Sequence, residues 1–160
     1  MNLRNPLSWL SLGFGSGLSP IAPGTMGSLV ALIVYYFFFN SLAASLINSF
    51  IFLIFIMISF LIGIYIYPKT VEKDDDPSSF VWDEFVGMWV ACLPLSYIEI
   101  SFLWLLISFF LFRLFDIWKP LGIRTFDKGH GAFNVMIDDV IAGVYSAISM
   151  IFLFTFFNYI

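Results

Sequence analysis

Charged residues are scarce in this chain. Only 11% of its 160 residues are Asp, Glu, Lys or Arg, whereas 61% are hydrophobic, and the mean hydropathy is +0.96. Average soluble domains are about 45–50% apolar, so the composition excludes an ordinary soluble protein and predicts an integral membrane protein. The formal net charge of -4 argues against nucleic acid as a partner, because binding to a phosphate backbone requires a basic surface.

Cysteine and histidine are nearly absent as well. The single cysteine, Cys92, lies in an apolar run, which excludes a disulfide framework and a cysteine-based metal site. We expect Cys92 to be a small buried side chain. The single histidine, His130, stands between two glycines. We expect it to lie in an exposed loop, with general acid catalysis or phosphate binding as the alternative roles.

The apolar runs predict an all-α, multi-pass transmembrane bundle of about five helices. Residues 1–27 are rich in Gly, Ser and Pro, which interrupt any long helix. Later runs approach the roughly 20 residues that cross a bilayer. The predicted helices cover residues 28 to between 40 and 47, 49–67, 77–95, 101–118 and 133–157. The length leaves room for one domain, which we take to cover residues 1–160.

Basic residues give the predicted bundle an orientation. If five helices alternate, all the basic residues fall on one membrane side: Arg4, Lys69, Lys73, Arg113, Lys119, Arg124 and Lys128. The opposite turns, residues 40–48 and 96–100, contain no Lys or Arg. Because basic loops stay in the cytoplasm, we predict that the amino terminus and both long loops are cytoplasmic.

Two acidic pairs stand out among so few charges: Asp83-Glu84 and Asp138-Asp139. An Asp at the centre of a bilayer costs about 2.5–3.5 kcal/mol. Carboxylates placed in pairs near the starts of membrane helices are therefore expected either to hold a cation or to move protons. Solvated helix ends are the structural alternative, since acids at a helix amino terminus gain some stability from the helix dipole.

Small residues follow each acidic pair by one helical turn. Asp83 shares a helix face with Gly87, and Asp139 shares one with Gly143. Small residues let two helix backbones approach closely, so the two helices are expected to bring up to four carboxylates together. Such a cluster needs a compensating cation, and oxygen ligands of this kind suit Mg²⁺, which also binds substrate phosphate. Asp116 is a candidate to join the cluster.

Basic side chains and hydroxyls supply candidates for a phosphate site. Arg113, Asp116 and Lys119 recur every three residues, so they can share a helix face, and Arg offers a bidentate fork to phosphate. The glycine-rich amino-terminal lead offers backbone N–H groups for an anion. The candidate hydroxyl ligands in this lead are Ser19, Thr25 and Ser28. The ordinary alternative is a girdle of basic residues beside plain turn structure.

Four blocks of the sequence resemble the phosphatidylglycerophosphatase A family. They are GFGSGLSPIAPGTMGS, VWDEFVGMW, FRLFDIWKP and MIDDVIAGV, which occur in the family's order and at its separations. The resemblance implies a small multi-pass enzyme of the bacterial inner membrane. It also implies Mg²⁺-dependent hydrolysis of phosphatidylglycerophosphate to phosphatidylglycerol and phosphate, in phospholipid biosynthesis. By motif it points to functional residues at Asp83, Glu84, Asp116, Lys119, Asp138 and Asp139.

These observations together predict a role for each residue. Asp83, Glu84, Asp138 and Asp139 are expected to hold Mg²⁺, and Glu84 is the first choice for orienting the attacking water. Asp116 is a further ligand or base, so that the expected catalytic set is Asp83, Glu84, Asp116 and Asp139. The expected phosphate ligands are Lys119, Arg113, Thr25, Ser28 and Ser19. An aspartyl-phosphate intermediate is an alternative to direct attack by water.

Other functional classes fit the sequence less well. Histidine-based lipid phosphatases need two histidines, and the alcohol phosphotransferases have an Asp pattern that this chain lacks. A small cation or proton transporter is the alternative from another class, with the acidic pairs as its ion site. The carboxylates of a conduction path should continue across the membrane, yet Glu99 is the only acid expected near the opposite face. The sequence leaves the oligomeric state open.

Overall fold

All the regular secondary structure in the part of the chain that the computed structural model describes is helical. The described part comprises residues 4–39, 45–71, 77–97, 101–120 and 131–158, among which there is no β-strand. The α-helices within it are α1 (Pro6–Ser11), α2 (Pro23–Phe39), α3 (Leu46–Thr70), α4 (Trp82–Cys92), α5 (Phe102–Trp118) and α6 (Ala132–Asn158). The predicted all-α class is confirmed.

Serine side chains cap the amino termini of two long helices, α3 and α5. The Ser45 hydroxyl accepts a hydrogen bond from the Asn48 N–H at 3.2 Å, and the Ser101 hydroxyl accepts one from the Trp104 N–H at 3.4 Å. These bonds satisfy amide groups that the first turn of a helix leaves without partners. Helices α3, α5 and α6 accordingly lie within about three residues of their predicted bounds.

Helix α2 begins at Pro23, five residues before its predicted start at residue 28. Proline suits the first turn because its missing N–H has no helical partner there. Ala22, directly before it, has a φ of 47°, in the left-handed region that favours glycine. Gly24 and Thr25 therefore belong to the amino-terminal turn of a helix and not to a loop.

Helix α4 is shorter than predicted. We expected residues 77–95, but α4 covers Trp82–Cys92, with single 3-10 turns at Pro77–Ser79 and Leu93–Ser96. Val81 interrupts the helix with φ -124° and ψ 12°, and its N–H donates to the carbonyl of Ser11 at 2.9 Å. The acidic pair Asp83-Glu84 thus lies in the first turn of α4, not one to two turns inside it.

Helix α4 occupies the centre of the bundle. Its residues from Phe85 through Cys92 are all buried, and it packs most extensively against α6 and α2. Two indole groups join it to its neighbours: Trp82 donates to the Ser59 carbonyl of α3 at 2.9 Å, and Trp89 donates to the Ala31 carbonyl of α2 at 3.0 Å. These bonds satisfy buried polar groups and fix how α4 sits among the other helices.

Helix α1 was not expected from the sequence. It packs on α3, where the Ser11 and Thr70 hydroxyls share a hydrogen bond of 2.8 Å. Through the bond from Val81 to Ser11, α1 also contacts the chain just before the first acidic pair. The amino-terminal lead therefore supports the start of α4.

Two described helices are long and apolar enough to cross a bilayer. The most apolar 18-residue stretch of α3 has a mean hydropathy of 2.7 and is 28% buried; the corresponding values for α6 are 2.1 and 22%. The core helix of a soluble protein would be mostly buried, whereas these helices expose Leu, Ile and Phe side chains. Such surfaces need an apolar surrounding, which indicates membrane association. The number of about five crossing helices stays a prediction.

Candidate active site

The two acidic pairs converge where α4 and α6 pack together. Carboxylate oxygens of Asp83, Glu84 and Asp139 all lie within 4.8 Å of one another. Asp139 is almost fully buried, while Asp83 and Glu84 are half-buried. The expected cluster therefore forms from three of the four paired carboxylates. We call Asp83, Glu84 and Asp139 the acidic cluster.

Two glycines let the backbones of α4 and α6 approach closely at the acidic cluster. A Cβ atom added to Gly87 would lie 2.7 Å from the Asp139 carbonyl oxygen, and one added to Gly143 would collide with the Gly87 carbonyl oxygen. Any larger side chain at either position would push the helices apart. The prediction that small residues below each acidic pair permit close approach is confirmed.

Asp116 on α5 lies beside the acidic cluster. Its side chain lies within hydrogen-bonding range of Asp139, and its Oδ2 atom is 2.8 Å from Nη1 of Arg113. Both Arg113 and Asp116 are largely buried, with side-chain exposures of 14% and 13%. Because Arg113 stands one helical turn before Asp116, α5 places a cation directly beside the carboxylates.

Asp138 points to a different partner. Its Oδ2 atom accepts a hydrogen bond from Nζ of Lys119 at 2.7 Å, and its Oδ1 atom accepts one from the Asp139 N–H at 3.1 Å. Lys119 adopts a left-handed conformation, with φ 46° and ψ 60°, at the end of α5. The structure thus pairs the expected metal ligand Asp138 with the expected phosphate ligand Lys119, outside the group formed by Asp83, Glu84 and Asp139.

The amino-terminal turn of α2 closes one side of the site. A Cβ atom added to Gly24 would collide with Oε1 of Glu84 and lie 3.5 Å from Nη1 of Arg113. The Ser28 hydroxyl donates to the Gly24 carbonyl at 2.8 Å and accepts from Nη1 of Arg113 at 3.2 Å. Helix amino termini attract anions, so α2 adds a favourable environment for phosphate.

The expected phosphate ligands from the amino-terminal lead differ in position. Ser28 contacts Arg113, and Thr25 lies half-buried beside Gly24 in the first turn of α2. Ser19 instead donates its hydroxyl to the Ile21 carbonyl at 2.8 Å in an exposed turn, and no described contact joins it to the acidic cluster. The structure brings two of the three hydroxyl residues towards the site.

Two buried polar atoms at the site have no hydrogen-bond partner. Oε2 of Glu84 and Nε of Arg113 are both inaccessible to solvent and have no hydrogen-bond partner among the described residues. Burying such atoms costs free energy unless a partner is supplied. An oxygen without a donor suits a cation, and a guanidinium nitrogen without an acceptor suits an anion, so the pair of atoms matches a metal ion together with a phosphate.

The donor set of the acidic cluster suits Mg²⁺. Three carboxylates from two rigid helices offer oxygen atoms close enough to share one ion, and Mg²⁺ prefers a few carboxylates together with waters and substrate phosphate. Three carboxylates at this separation repel one another unless a cation or protons compensate them. The residues present therefore fit the ion that the sequence predicts.

Several predicted residues lie outside the described part of the chain. His130, Arg124 and Lys128 fall in residues 121–130, Lys73 in residues 72–76, and Glu99 in residues 98–100. Their expected roles stay predictions. Sequence reasoning also missed Gly24, whose contact with Glu84 depends on α2 beginning at Pro23; the proline–glycine pair at the start of an apolar run was the available signal.

Comparison with known proteins identifies relatives over nearly the whole chain. The sequence profile of the family described as phosphatidylglycerophosphatase A matches residues 9–154. A phosphatidylglycerophosphatase A from Escherichia coli is 41% identical over 92% of this chain and 83% of its own length. One from Haemophilus influenzae is 44% identical over 92% of this chain and 88% of its own length.

A third relative carries a different name. A Bacteroides thetaiotaomicron protein named "Putative phosphatidylinositol-3-phosphatase" is 40% identical over 87% of both chains. No solved structure matches the chain. All three relatives are named for the removal of phosphate from a phospholipid headgroup.

Proposed function

Because the chain belongs to the phosphatidylglycerophosphatase A family, we propose that it hydrolyses phosphatidylglycerophosphate to phosphatidylglycerol and inorganic phosphate. Membership makes it an enzyme of the phosphoric monoester hydrolase class. The finer proposal is that the reaction depends on Mg²⁺ and takes place at the cytoplasmic surface of a bacterial inner membrane. The predicted alternative, a cation or proton transporter, has no relative among the matches to support it.

One observation carries the proposed chemistry: an acidic cluster and a guanidinium group are buried side by side, each with an unpaired atom. Within the part of the chain that the structure describes, neither Oε2 of Glu84 nor Nε of Arg113 has a hydrogen-bond partner. A bare cation site would not need the arginine, since a nearby positive charge weakens cation binding. A phosphate monoester bound with a metal ion needs both, because it presents its oxygens to the cation and to the guanidinium together.

Asp83, Glu84 and Asp139 are the proposed ligands of Mg²⁺. Bound there, the ion would screen the phosphate charge and make a bound water more acidic. Glu84 is half-buried, and both Glu84 and Arg113 lie close to Gly24, which supports the proposal that Glu84 orients the attacking water. Asp116, within hydrogen-bonding range of Asp139, is the proposed further base.

Arg113 and the first turn of α2 are proposed to hold the phosphate oxygens. Arg113 is fixed by Asp116 on one side and by Ser28 on the other, which limits its motion when substrate arrives. Catalysis of phosphoryl transfer depends mostly on positioning and on charge stabilisation. In the overall reaction a water oxygen bonds to phosphorus, the ester bond to the glycerol oxygen breaks, and that oxygen receives a proton.

The proposed membrane placement uses about five crossing helices. Lys69 lies in the last turn of α3, and Lys119 directly follows α5, with Arg113 less than two turns before it. A bond of 2.9 Å between Ser49 and Ser96 marks the opposite end. A concentration of basic residues at one end supports a cytoplasmic position for that end. The diacyl chains would then remain in the bilayer while the headgroup reaches the acidic cluster.

Phosphate release from purified protein tests the proposal. The protein in detergent is supplied with phosphatidylglycerophosphate, with Mg²⁺ or with excess chelator, and inorganic phosphate is measured. We expect release that depends on the metal ion. Absence of release from protein shown to be folded by circular dichroism would overturn the enzymatic proposal, and equal release with chelator would remove the metal from it.

A parallel assay with phosphatidylinositol 3-phosphate addresses the third relative. The phosphate of this lipid is esterified to a secondary hydroxyl of the inositol ring. This ring is bulkier than the glycerol that carries the terminal phosphate of phosphatidylglycerophosphate. We expect lower kcat/KM for this lipid than for phosphatidylglycerophosphate. The reverse order would show that the chain shares the substrate named for the Bacteroides relative.

A further inference from the structure

The amino-terminal segment, residues 6–21, exposes large apolar side chains near the acidic cluster. Four side chains are exposed by about half or more: Trp9 at 47%, Phe14 at 61%, Leu18 at 53% and Ile21 at 79%. Its buried positions include small residues, namely Ser8, Ser11, Gly13 and Gly17, together with Leu12. A segment surrounded by water would place its large apolar side chains inward, so this distribution indicates an apolar surrounding.

Several backbone polar groups of the amino-terminal segment form hydrogen bonds within the segment itself. The N–H groups of Gly15 and Gly17 both donate to the Leu12 carbonyl at 2.9 Å, and the Ser16 hydroxyl donates to the Gly13 carbonyl at 2.8 Å. Phe14 and Gly15 turn the chain with φ 57° and 100°. Backbone polar groups in contact with lipid must be satisfied internally, and these turns meet much of that requirement.

Charged residues are absent from the amino-terminal segment, from α2 and from α3 up to Pro68. From Asn5 through Pro68 the sequence has no Asp, Glu, Lys, Arg or His. Ile21 leads directly into α2, whose exposed face continues with Met26, Leu29 and Ile33. The exposed apolar surface therefore extends without a charged break from the segment along a helix proposed to face lipid.

We propose that the amino-terminal segment lies in the interfacial layer of the bilayer, with Trp9, Phe14, Leu18 and Ile21 among the phospholipid acyl chains. The ring of Phe14 packs on Trp82 and Phe85, with centroids 6.4 and 6.2 Å apart. Those two residues flank Asp83 and Glu84 in the first turn of α4. The segment thus holds the acidic cluster at headgroup depth, where a lipid phosphate reaches it by lateral diffusion.

A fluorescent probe on Ile21 tests this placement without any measurement of activity. Ile21→Cys is labelled with a polarity-sensitive maleimide and reconstituted in phosphatidylglycerol–phosphatidylcholine vesicles; wild type, with its buried Cys92, gives the background. Quenching is compared between iodide in water and nitroxides attached to lipid near the headgroup. We expect blue-shifted emission, with stronger quenching by the lipid nitroxide than by iodide.

Two control positions make the result decisive. Ser78→Cys, at an exposed position in the turn before α4, should be quenched by iodide. Met57→Cys, 60% exposed in the middle of α3, should respond to nitroxides near the acyl chain ends. This inference rests on the proposed membrane placement: a water-exposed probe at Met57 would overturn that placement, whereas lipid contact at Met57 with iodide quenching at Ile21 would overturn only the inference.

A second copy of the chain is the competing occupant of the exposed surface. In that case the Ile21 probe would show blue-shifted emission but resist both quenchers, which would also overturn the lipid assignment. Turnover supplies an independent readout through the double variant Leu18→Ser/Ile21→Ser. We expect loss of activity on long-chain substrate in vesicles and unchanged activity on a short-chain, water-soluble analogue; equal loss on both would contradict a role in membrane contact.

Discussion

The two acidic pairs look alike in the sequence, but their side chains have different partners in the structure. In each pair the first Asp accepts a hydrogen bond from the N–H of the following residue, at 3.0 Å for Asp83 and 3.1 Å for Asp138. Both members of the first pair nevertheless enter the acidic cluster, whereas the second pair divides between Asp139 in the cluster and Asp138 on Lys119.

The difference follows from the position of each pair on its helix. Asp83 and Glu84 lie in the first turn of α4, where the longer Glu84 side chain reaches the amino terminus of α2. Asp138 and Asp139 lie well inside α6, and neighbouring residues of a helix point about 100° apart. Asp139 shares its helix face with Gly143, which packs on α4, whereas Asp138 faces Lys119. Adjacent acids in sequence are thus not equivalent in position, and the second pair joins the acidic cluster to a basic residue.

Amide variants of the acidic cluster should have the largest effect. Glu84→Gln and Asp139→Asn each remove a charge from the proposed metal site while preserving shape. We expect kcat for phosphate release to fall about a hundredfold to ten-thousandfold, with far-ultraviolet circular dichroism unchanged. Retention of activity by either variant would remove that residue from the catalytic set.

Separation of the two helices should have the next largest effect. Gly143→Ala places a methyl group against the Gly87 carbonyl and 2.9 Å from the Cβ of Val90. We expect unfolding to become easier by about 1–3 kcal/mol, and activity to fall about a hundredfold if the carboxylates move by 1 Å. Val144→Ile is the matched control, because it adds a methyl group at the adjacent position, where Val144 is 43% exposed. Equal losses of activity in both variants would show that the close contact between α4 and α6 is unimportant.

Asp138→Asn should reduce activity less than Asp139→Asn does. The variant weakens the pair with Lys119 but leaves the acidic cluster intact, so we expect a loss of about tenfold to a hundredfold. Lys119→Met added to Asp138→Asn tests whether the two act as a unit, since residues in contact give non-additive effects. If Asp138→Asn abolished activity as fully as Asp139→Asn, the proposed division of the second pair would be wrong.

Removal of the Ser28 hydroxyl should have the smallest effect. Ser28→Ala deletes one hydrogen bond to Arg113, worth about 1 kcal/mol, so we expect KM for the phosphate ester to rise about fivefold with little change in kcat. Ser146→Ala is the matched control, because that buried hydroxyl makes the same type of bond, to the Ala142 carbonyl at 2.8 Å, without contacting an arginine. A similar rise in KM for both variants would contradict a role for Ser28 in holding Arg113.

Prediction from sequence succeeded where local signals bound a helix. Ser45 and Ser101 cap α3 and α5, and Lys119-Pro120 ends α5, so the apolar runs between such signals became helices close to their predicted lengths. It failed for α4, because Pro77 looked like a helix start while the chain at Val81 bonds to Ser11 from a distant segment. No local pattern reveals that contact.

Prediction of the site likewise succeeded for some residues and failed where contacts between distant segments decide. The sequence placed both acidic pairs around one metal site, with Asp116 as a further ligand or base. The structure brings Asp83, Glu84 and Asp139 together, with Asp116 beside them, but not Asp138. The sequence assigned Asp138 and Lys119 to separate tasks, although they pair with each other. It also grouped Ser19 with Ser28, because both are hydroxyl residues of the glycine-rich lead, while Ser28 lies on α2 and contacts Arg113.

The sequence by itself determined the helical class, the apolar surface, the four motif blocks and the residues that supply charge. These depend on composition and short spacing, which are properties of the chain before it folds. Only the tertiary structure decided which carboxylates share a site, that Gly24 touches Glu84 and that Asp138 binds Lys119. Such choices depend on how closely α4 and α6 cross and on where α2 begins, and those distances arise only when the helices pack.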